Sequence, residues 1–479
     1  MVLAVYNSLT EKLEEFKPLE GKKVKMYVCG VTVYDYAHIG HARTYVAFDV
    51  IKRYLKYRGY DVYHVQNITD VDDKIIARAN ELGISPIELA SRFALEAEKD
   101  LNALGIEKAD IYPRVTDHVP EIIKFIQTLI KKGYAYQANG DVYFSVKKFL
   151  GYGDLSHQSI HEVLSGARVE IDEKKKDPVD FSLWKNSKKG ELSFESPWGR
   201  GRPGWHIECS TMSTKYLGDR FDIHGGAKDL IFPHHENEIA QSEAATGKKP
   251  FVKYWLHTGF LNAGGEKMSK SLGNFVTIRD LLQECDADAF RLFILSAHYR
   301  SPIDFEKKIL EQAKRNLTRV TSVVQGLEKQ VEELSNEKQG EDVSSYEHGA
   351  AEIERRYIEA MDNDFNTPEA VVAFQDLVKL GNKALTSGAD KSSLTLILET
   401  LRRLSLVFGL SSIGAEVEKT ETELPDEARK LIEEREEARK KKNWKKSDDI
   451  RAQLGKMGIV IEDTAKGTSW KYADTSPEK

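Results

Sequence analysis

Apolar positions alternate at Val24, Met26 and Val28, which predicts a short strand ending at Cys29-Gly30. Past His41 the period changes: Val46, Val50, Ile51, Tyr54 and Leu55 form one helical stripe, and Gly59 stops it. Asp61–Gln66 reads as a second strand. Asn67-Ile68-Thr69-Asp70 then opens a helix whose first turn carries Asp72 and Asp73, where carboxylates complement the dipole. Ser85-Pro86-Ile87-Glu88 joins a capping box to a proline at the first helical position, and Gly105 ends that helix. Strand–helix units repeated in this way imply right-handed crossovers and a parallel, doubly wound α/β sheet of Rossmann type. Such sheets bind ligands at the carboxyl ends of their strands, where Cys29 and Thr69 fall.

The pattern breaks between about Thr116 and Arg202. A helix to Lys132 precedes a hairpin whose Asn139-Gly140 suits a type I′ turn, and a polar stretch runs through Lys174–Asp177, so this stretch reads as an insertion. Strand–helix alternation resumes with Trp205–Tyr216, Arg220–His224 and Pro233–Ala245. After Asp304 the chain is nearly all helical, and Val371, Phe374, Leu377 and Leu380 have the spacing of a packed bundle. Polar stretches at Ser335–Ser345 and Ser411–Leu424 read as loops or linkers. A small unit closes the chain: a highly charged helix, then Ile459–Asp463 and Gly467–Trp470.

Composition narrows the classes. A chain of 479 residues is long enough for about three domains. With 41% hydrophobic and 30% charged residues it has a packed core and is not wholesale disordered. Lys+Arg 70 against Asp+Glu 76 leaves a net charge of −6, which excludes a polycation that coats nucleic acid; any such contact must come from local patches. Cys29, Cys209 and Cys285 are too few and too scattered for a disulfide framework, and a reducing, cytoplasmic location is expected. No stretch reaches the roughly 18 apolar residues needed to span a bilayer, so no membrane partner is expected.

Two short segments suggest phosphate chemistry. His38-Ile39-Gly40-His41 lies between the first strand and its helix, where backbone N–H groups and the positive end of the dipole converge on a bound phosphate and two imidazoles add donors. The same residues could simply satisfy a loop and a helix start. Lys267-Met268-Ser269-Lys270-Ser271, flanked by Gly264-Gly265 and Gly273-Asn274, suits a cationic clamp on a polyphosphate or, more plainly, an exposed basic loop. A third set is Cys29, Cys209, His234 and Glu238. His234 and Glu238 lie one turn apart on one helical face, and the four are ligand types that zinc prefers. Two buried thiols and a helix with unrelated polar residues are the alternative.

The first two motifs, in this order and on this scaffold, resemble the signatures of class I aminoacyl-tRNA synthetases. Cys29-Gly30-Val31-Thr32-Val33-Tyr34-Asp35, Asn67–Ile75, Gly204–Cys209 and Phe232-Pro233-His234-His235-Glu236-Asn237-Glu238 resemble cysteinyl-tRNA synthetases, and the similarity runs to Gly467–Trp470. The resemblance implies a Rossmann catalytic domain in two halves, 1–115 and 203–250, split by a connective insertion, 116–202. A stem-contact region carrying the lysine loop follows over 251–306, then a helical bundle over 307–410 and an anticodon-binding unit over 411–479. It implies ligation of L-cysteine to tRNA(Cys) through a cysteinyl adenylate, with ATP and Mg²⁺ and one Zn²⁺ held by Cys29, Cys209, His234 and Glu238. His38, His41, Lys267 and Lys270 would be catalytic, and with Gly40, Gly226 and Asp229 would bind ATP. Gly30, Thr69 and Trp205 would contact cysteine.

The chemistry agrees with that expectation. Pocket shape separates analogues as close as cysteine and serine by only about 1–3 kcal/mol, whereas about 5.5 kcal/mol is needed for roughly 10⁴-fold selectivity. Zinc deprotonates a coordinating thiol and has no comparable use for a hydroxyl, so no separate editing site is expected. His206 and His224 join Trp205 as candidates for the pocket base, His235 is expected on a different helix face from His234, and Cys285 is expected to be inert. Arg439–Lys442 and Lys445-Lys446 with Trp444 and Trp470 offer cations and stacking faces for RNA. A monomer is expected. The rival readings are a cysteine ligase acting on a glucosaminyl-inositol acceptor and a non-catalytic zinc- or RNA-binding paralogue. A secondary pyridoxal-phosphate-dependent persulfide activity would draw on Lys74 or Lys270.

Overall fold

Four parallel strands form the central sheet. In chain order they are Lys23–Val28, Asp61–Gln66, Phe221–Ala227 and Val252–Thr258, and in space the order is fourth, third, first, second. Val28 is paired with Gln66 on one side and Gly225 on the other. The first strand therefore sends its crossover helix, Ile39–Tyr57, towards the second strand while the third lies opposite, and this reversal opens a crevice at the carboxyl ends. The computed structural model describes residues 2–159, 174–188, 191–263, 266–267, 275–334 and 343–414. Towards the C-terminus it describes 431–432, 434–435, 438–439, 441, 443–456, 459–464 and 467–472.

The fourth strand carries the sheet past residue 250, where the sequence suggested that the catalytic half ends. Its residues Val252 and Tyr254–Thr258 are all buried, a run without alternation that suits a strand covered on both faces. Between the second and third strands, the helix Val119–Lys131 leads into an antiparallel sheet of Ala135–Ala138, Asp141–Phe144, Phe181–Asn186 and Gly201–Pro203. Asn139 and Gly140 both have positive φ, 52° and 84°, as a type I′ hairpin requires. Lys174–Asp177 is described, but 160–173 lie outside the described residues.

The helix Ile39–Tyr57 is anchored from behind. Arg43, 1% exposed, donates to the carbonyls of Ile294, His298, Tyr299 and Ser301 at 2.6–3.2 Å. Asp49 forms a buried ion pair with Arg291, which also donates to the carbonyls of Phe408 and Leu104. Helices Lys307–Glu333, Val343–Asp362, Thr367–Ser387 and Lys391–Phe408 follow. Their apolar stripes, Phe374 and Leu377 among them, merge with the core beneath the helix Ile39–Tyr57. Ser411–Gly414 is helical, with Ile413 buried, rather than the start of a polar linker. The chain divides into two compact units, Met1–Gly414 and Ala415–Lys479. In the second, the helix Trp444–Lys456 precedes an antiparallel hairpin of Ile459–Thr464 and Gly467–Tyr472.

Candidate active site

At the carboxyl ends of the strands lies a cavity of about 330 Å³. Its floor begins at Cys29, whose N–H donates to Gly225 O at 3.0 Å and whose carbonyl accepts the Tyr45 hydroxyl at 3.1 Å. Gly30 N–H donates to Asn67 Oδ1 at 2.8 Å, and Asn67 Nδ2 donates to Thr69 Oγ1 at 3.1 Å. Glycine is required at 30 because a Cβ would stand 1.6 Å from the carbonyl oxygen of Asn67. Gly30, Thr69 and Trp205 line this cavity together, and Asn67, which the sequence did not single out for a role, holds the first two in register.

His38 and His41 stand at its edge with Gly40 and Asp229. His38 is the N-cap of the helix Ile39–Tyr57: its Nδ1 accepts from the N–H groups of Gly40 and His41, while His41 Nδ1 accepts from His38 N–H at 3.2 Å. An Nδ1 that accepts leaves the proton on Nε2, so the cap sets both rings as Nε2–H donors. The rings stack with centroids 3.8 Å apart, and burial together with His38 holds His41 well below its ordinary pKa. Gly226 packs against His235 and Leu230 without lining the cavity. Lys267 is placed by its backbone, in a two-residue strand paired with Asn262–Ala263; Lys270 lies outside the described residues.

Cys29, Cys209, His234 and Glu238 converge: one ligand atom from each lies within 4.8 Å of the others, and all four are buried. Each comes from a different local structure. Cys29 ends the first strand, Cys209 sits in the first turns of the helix Trp205–Leu217, His234 precedes the helix Glu236–Thr246, and Glu238 lies in that helix's first turn. His234 Nε2 is 3.0 Å from Glu238 Oε1, the contact expected one turn apart. Burial would lower the His234 pKa, but Glu238 and Cys209 raise it to about 10. Burial would raise Glu238, but His224 and His234 bring it down to about 2. A hydrogen bond from Cys29 holds the Cys209 thiol down to about 6, while burial pushes Cys29 up.

His235, on a different face from His234 as expected, does not line the cavity. Phe232 is extended (φ −130°, ψ 131°) within the wide turn Ile231–His235, and helical backbone has resumed by His235. Its Nε2 nevertheless reaches Cys29 Sγ at 3.3 Å. This creates a second possible set of ligands, Cys29, His224, His235 and Glu238. The two sets share Cys29 and Glu238, but Cys209 and His234 line the cavity whereas His224 and His235 do not. The outer histidines are already engaged: His224 Nε2 with Glu238 Oε2 at 2.9 Å, and His235 Nδ1 with His257 Nε2 at 2.8 Å. Burial holds the pKa of His206 and His235 well below normal and brings His257 down to about 3. Trp205 stacks on His234 with centroids 4.5 Å apart, and His206 Nδ1 is 3.0 Å from His234 Nδ1. Cys285 lies in the apolar core, and its thiol is pushed up to about 11 by burial.

A parallel sheet with a histidine-capped helix at its crevice is the framework of a class I aminoacyl-tRNA synthetase, and residues 15–315 match the tRNA synthetases class I (C) catalytic domain. Residues 356–412 match the DALR domain and 421–470 the cysteinyl-tRNA ligase anticodon binding domain. The chain belongs to the cysteine–tRNA ligase family: it is 52% identical over 477 residues to the cysteine–tRNA ligase of Thermococcus onnurineus (strain NA1), covering 98% of this chain and 99% of that one. It is therefore an enzyme whose substrates are the amino acid, ATP and tRNA. The fold is shared with Mycobacterium tuberculosis methionyl-tRNA synthetase in complex with methionyl-adenylate, at TM-score 0.63 and 18% identity, covering 82% of this chain and 92% of that one. It is also shared with the Agrobacterium radiobacter K84 LeuRS of a ternary complex with tRNA and LeuAMS, at TM-score 0.61 and 12% identity, covering 84% and 86%. None of the described helices is long and apolar enough to cross a membrane.

Proposed function

We propose that the enzyme activates L-cysteine as cysteinyl adenylate in the crevice, with a zinc ion selecting the thiol against serine, and then transfers the cysteinyl group to tRNA(Cys). The observation that carries this reading is the buried convergence of Cys29, Cys209, His234 and Glu238, three of which face the cavity. Two sulfurs, an imidazole and a carboxylate fit zinc, and the buried negative charge of Glu238 and Cys209 exceeds what His234 alone balances. When bound, zinc supplies a soft Lewis acid that holds the substrate sulfur as thiolate. His224 orients the Glu238 carboxylate and His235 orients the Cys29 sulfur, an outer shell that fixes ligand geometry.

Gly30 and Thr69 position the amino acid, and Trp205 closes the cavity over His234. His38 and His41 present Nε2–H donors to the α-phosphate as its charge develops, with Gly40 opening the helix that carries them. Asp229, beside Gly226, approaches the ribose, and Lys267 and Lys270 neutralise the departing pyrophosphate, which Mg²⁺ accompanies. The units proposed from sequence keep their roles, with 411–479 reading the anticodon; the match over 421–470 favours a tRNA acceptor over a glucosaminyl inositol. Three free thiols suit a reducing cytoplasm, and a monomer is the proposed working unit.

Pyrophosphate exchange with cysteine and with serine, together with metal analysis, tests the reading. Exchange with cysteine alone and one zinc per chain are expected, with both lost in Cys209→Ala. Comparable exchange with both amino acids, or a metal-free protein that still discriminates, refutes it.

A further inference from the structure

Arg279 is tied to the histidine pair through its neighbours, although it touches neither ring. It occupies the first turn of the helix Ile278–Glu284, where the dipole disfavours a cation, so tertiary contacts must hold it there. Its Nη2 donates to Glu96 Oε2 at 2.7 Å and Asp100 Oδ1 at 2.9 Å, both on the helix Pro86–Ala103. Its guanidinium lies over the Tyr36 ring at 3.9 Å, and that ring meets Phe93 of the same helix edge-on at 5.2 Å. Tyr36 is thus gripped from two sides, two residues before His38.

The backbone completes the connection. Ile39 N–H donates to Val276 O at 3.1 Å and Ile278 N–H to Ala37 O at 3.0 Å, while His38 and Thr277 form a bridge. The segment carrying Arg279 is therefore stitched to the residues on both sides of His38. Phe275 adds an edge-on contact to the His38 ring at 5.1 Å. A shift of Arg279 would move Tyr36 and Ala37, and with them the N-cap that sets the orientation and tautomer of both histidines.

We infer that Arg279 is a positioning residue for the His38–His41 pair, acting through Tyr36 and the Ala37–Ile39 backbone. The inference rests on the proposed role of those histidines in ATP chemistry. A planar cation is needed: lysine reaches the two carboxylates but has no flat face for Tyr36.

The test is pyrophosphate exchange per active site, with active sites counted by titration, in Arg279→Met, Arg279→Lys, Tyr36→Leu and His41→Asn. Arg279→Met is expected to lower kcat by about 100-fold while KM for cysteine stays within about twofold, because a misplacement of about 1 Å costs that much and the amino-acid floor lies elsewhere. Arg279→Lys and Tyr36→Leu fall between, and either serves if Arg279→Met does not fold. In a His41→Asn background Arg279→Met should cost no more than about threefold further, since both changes act on one group. A merely structural role would lower the melting temperature and the active fraction, leave kcat per site within about threefold, and overturn the inference. So would an undiminished loss in the His41→Asn background. If His41→Asn itself exchanges normally, the phosphate role of the histidines fails and the inference with it; if His41→Asn is crippled and Arg279→Met is not, the inference alone fails.

Discussion

Gly30→Ala tests the proposed amino-acid floor separately from the proposed metal ligands. The added Cβ would lie 1.6 Å from Asn67 O and 2.7 Å from Asn67 C, against a floor of 3.0 Å for real contacts, so the two segments must part by about 1.4 Å. Neither can yield locally: Asn67 and Thr69 are buried, and Cys29 is fixed by Gly225 O and Tyr45. Parting them breaks the Gly30–Asn67 hydrogen bond at 2.8 Å and strands a half-buried N–H, at a cost of about 1 kcal/mol, and overpacking adds about 1–3 kcal/mol. The catalytic unit should survive with a lower melting temperature. Displacement by more than 1 Å beside the substrate should cost about 100-fold or more in kcat/KM for cysteine. KM for ATP should stay nearly unchanged, because His38 and His41 are held by their own helix cap. Pyrophosphate exchange with each substrate varied, alongside thermal unfolding, separates these terms. A Gly30→Ala enzyme with parental KM for cysteine and unchanged melting would refute the close approach of Gly30 and Asn67 as the basis of the floor.

Three further outcomes are expected. His64 is buried, with both ring nitrogens lacking a partner among the described residues, and burial lowers its pKa to about 3. Between the unfolded value near 6.5 and about 3 the unfolded chain binds the extra proton, so stability falls as pH falls; the loss from this group is about 2 kcal/mol at pH 5 relative to pH 7.5. Chemical denaturation at the two pH values should show that difference shrinking in His64→Leu. His38→Asn keeps an acceptor for the helix N-terminus and should melt like the parent while exchange drops about 100-fold; His38→Ala should lose about 1 kcal/mol besides. Equal exchange in all three forms would remove His38 from the chemistry. A chain stopped after Gly414, where the two compact units divide, should keep pyrophosphate exchange and lose tRNA charging, measured on total tRNA.

The first two strands of the parallel sheet were legible because buried positions alternate along them and each ends at a recognisable turn, Val24–Val28 before Gly30 and Asp61–Gln66 before Asn67. The hairpin at Asn139-Gly140 was legible because only residues tolerant of positive φ fit both central positions. The four proposed sulfur, nitrogen and oxygen ligands were legible by type, and by spacing only for His234 and Glu238. Nothing in the spacing brings residue 29 to 209 or 234; two crossovers of the sheet do that, and only resemblance anticipated it. The separate face of His235 was legible from its place beside His234, but its reach to Cys29 was not, because the sheet sets where residue 29 lies. Asn67 had no signal beyond being a polar residue at a strand end, and its role depends on an approach of Gly30 that sequence distance does not encode.

The histidines behind the ligand set explain why so many neutral imidazoles are grouped where charge is balanced so closely. A neutral ring carries one donor and one acceptor, so a chain of them has a single direction. Here the chain runs from Cys29 Sγ to His235 Nε2 (3.3 Å), from His235 Nδ1 to His257 Nε2 (2.8 Å), and from His257 Nδ1 to Ser8 Oγ (2.8 Å). If Cys29 is a thiolate, His235 must donate through Nε2, His257 must donate to His235 Nδ1, and the Ser8 hydroxyl must donate inward. If Cys29 is a thiol, its single S–H faces Cys209 and Glu238 as well as His235, and every bond reverses only when it points at His235. Burial keeps His235 and His257 from taking a second proton, which would break the chain at one link and add positive charge beside His234. A proton on Cys29 directed at His235 is therefore linked to the orientation of the Ser8 hydroxyl without any ring becoming charged.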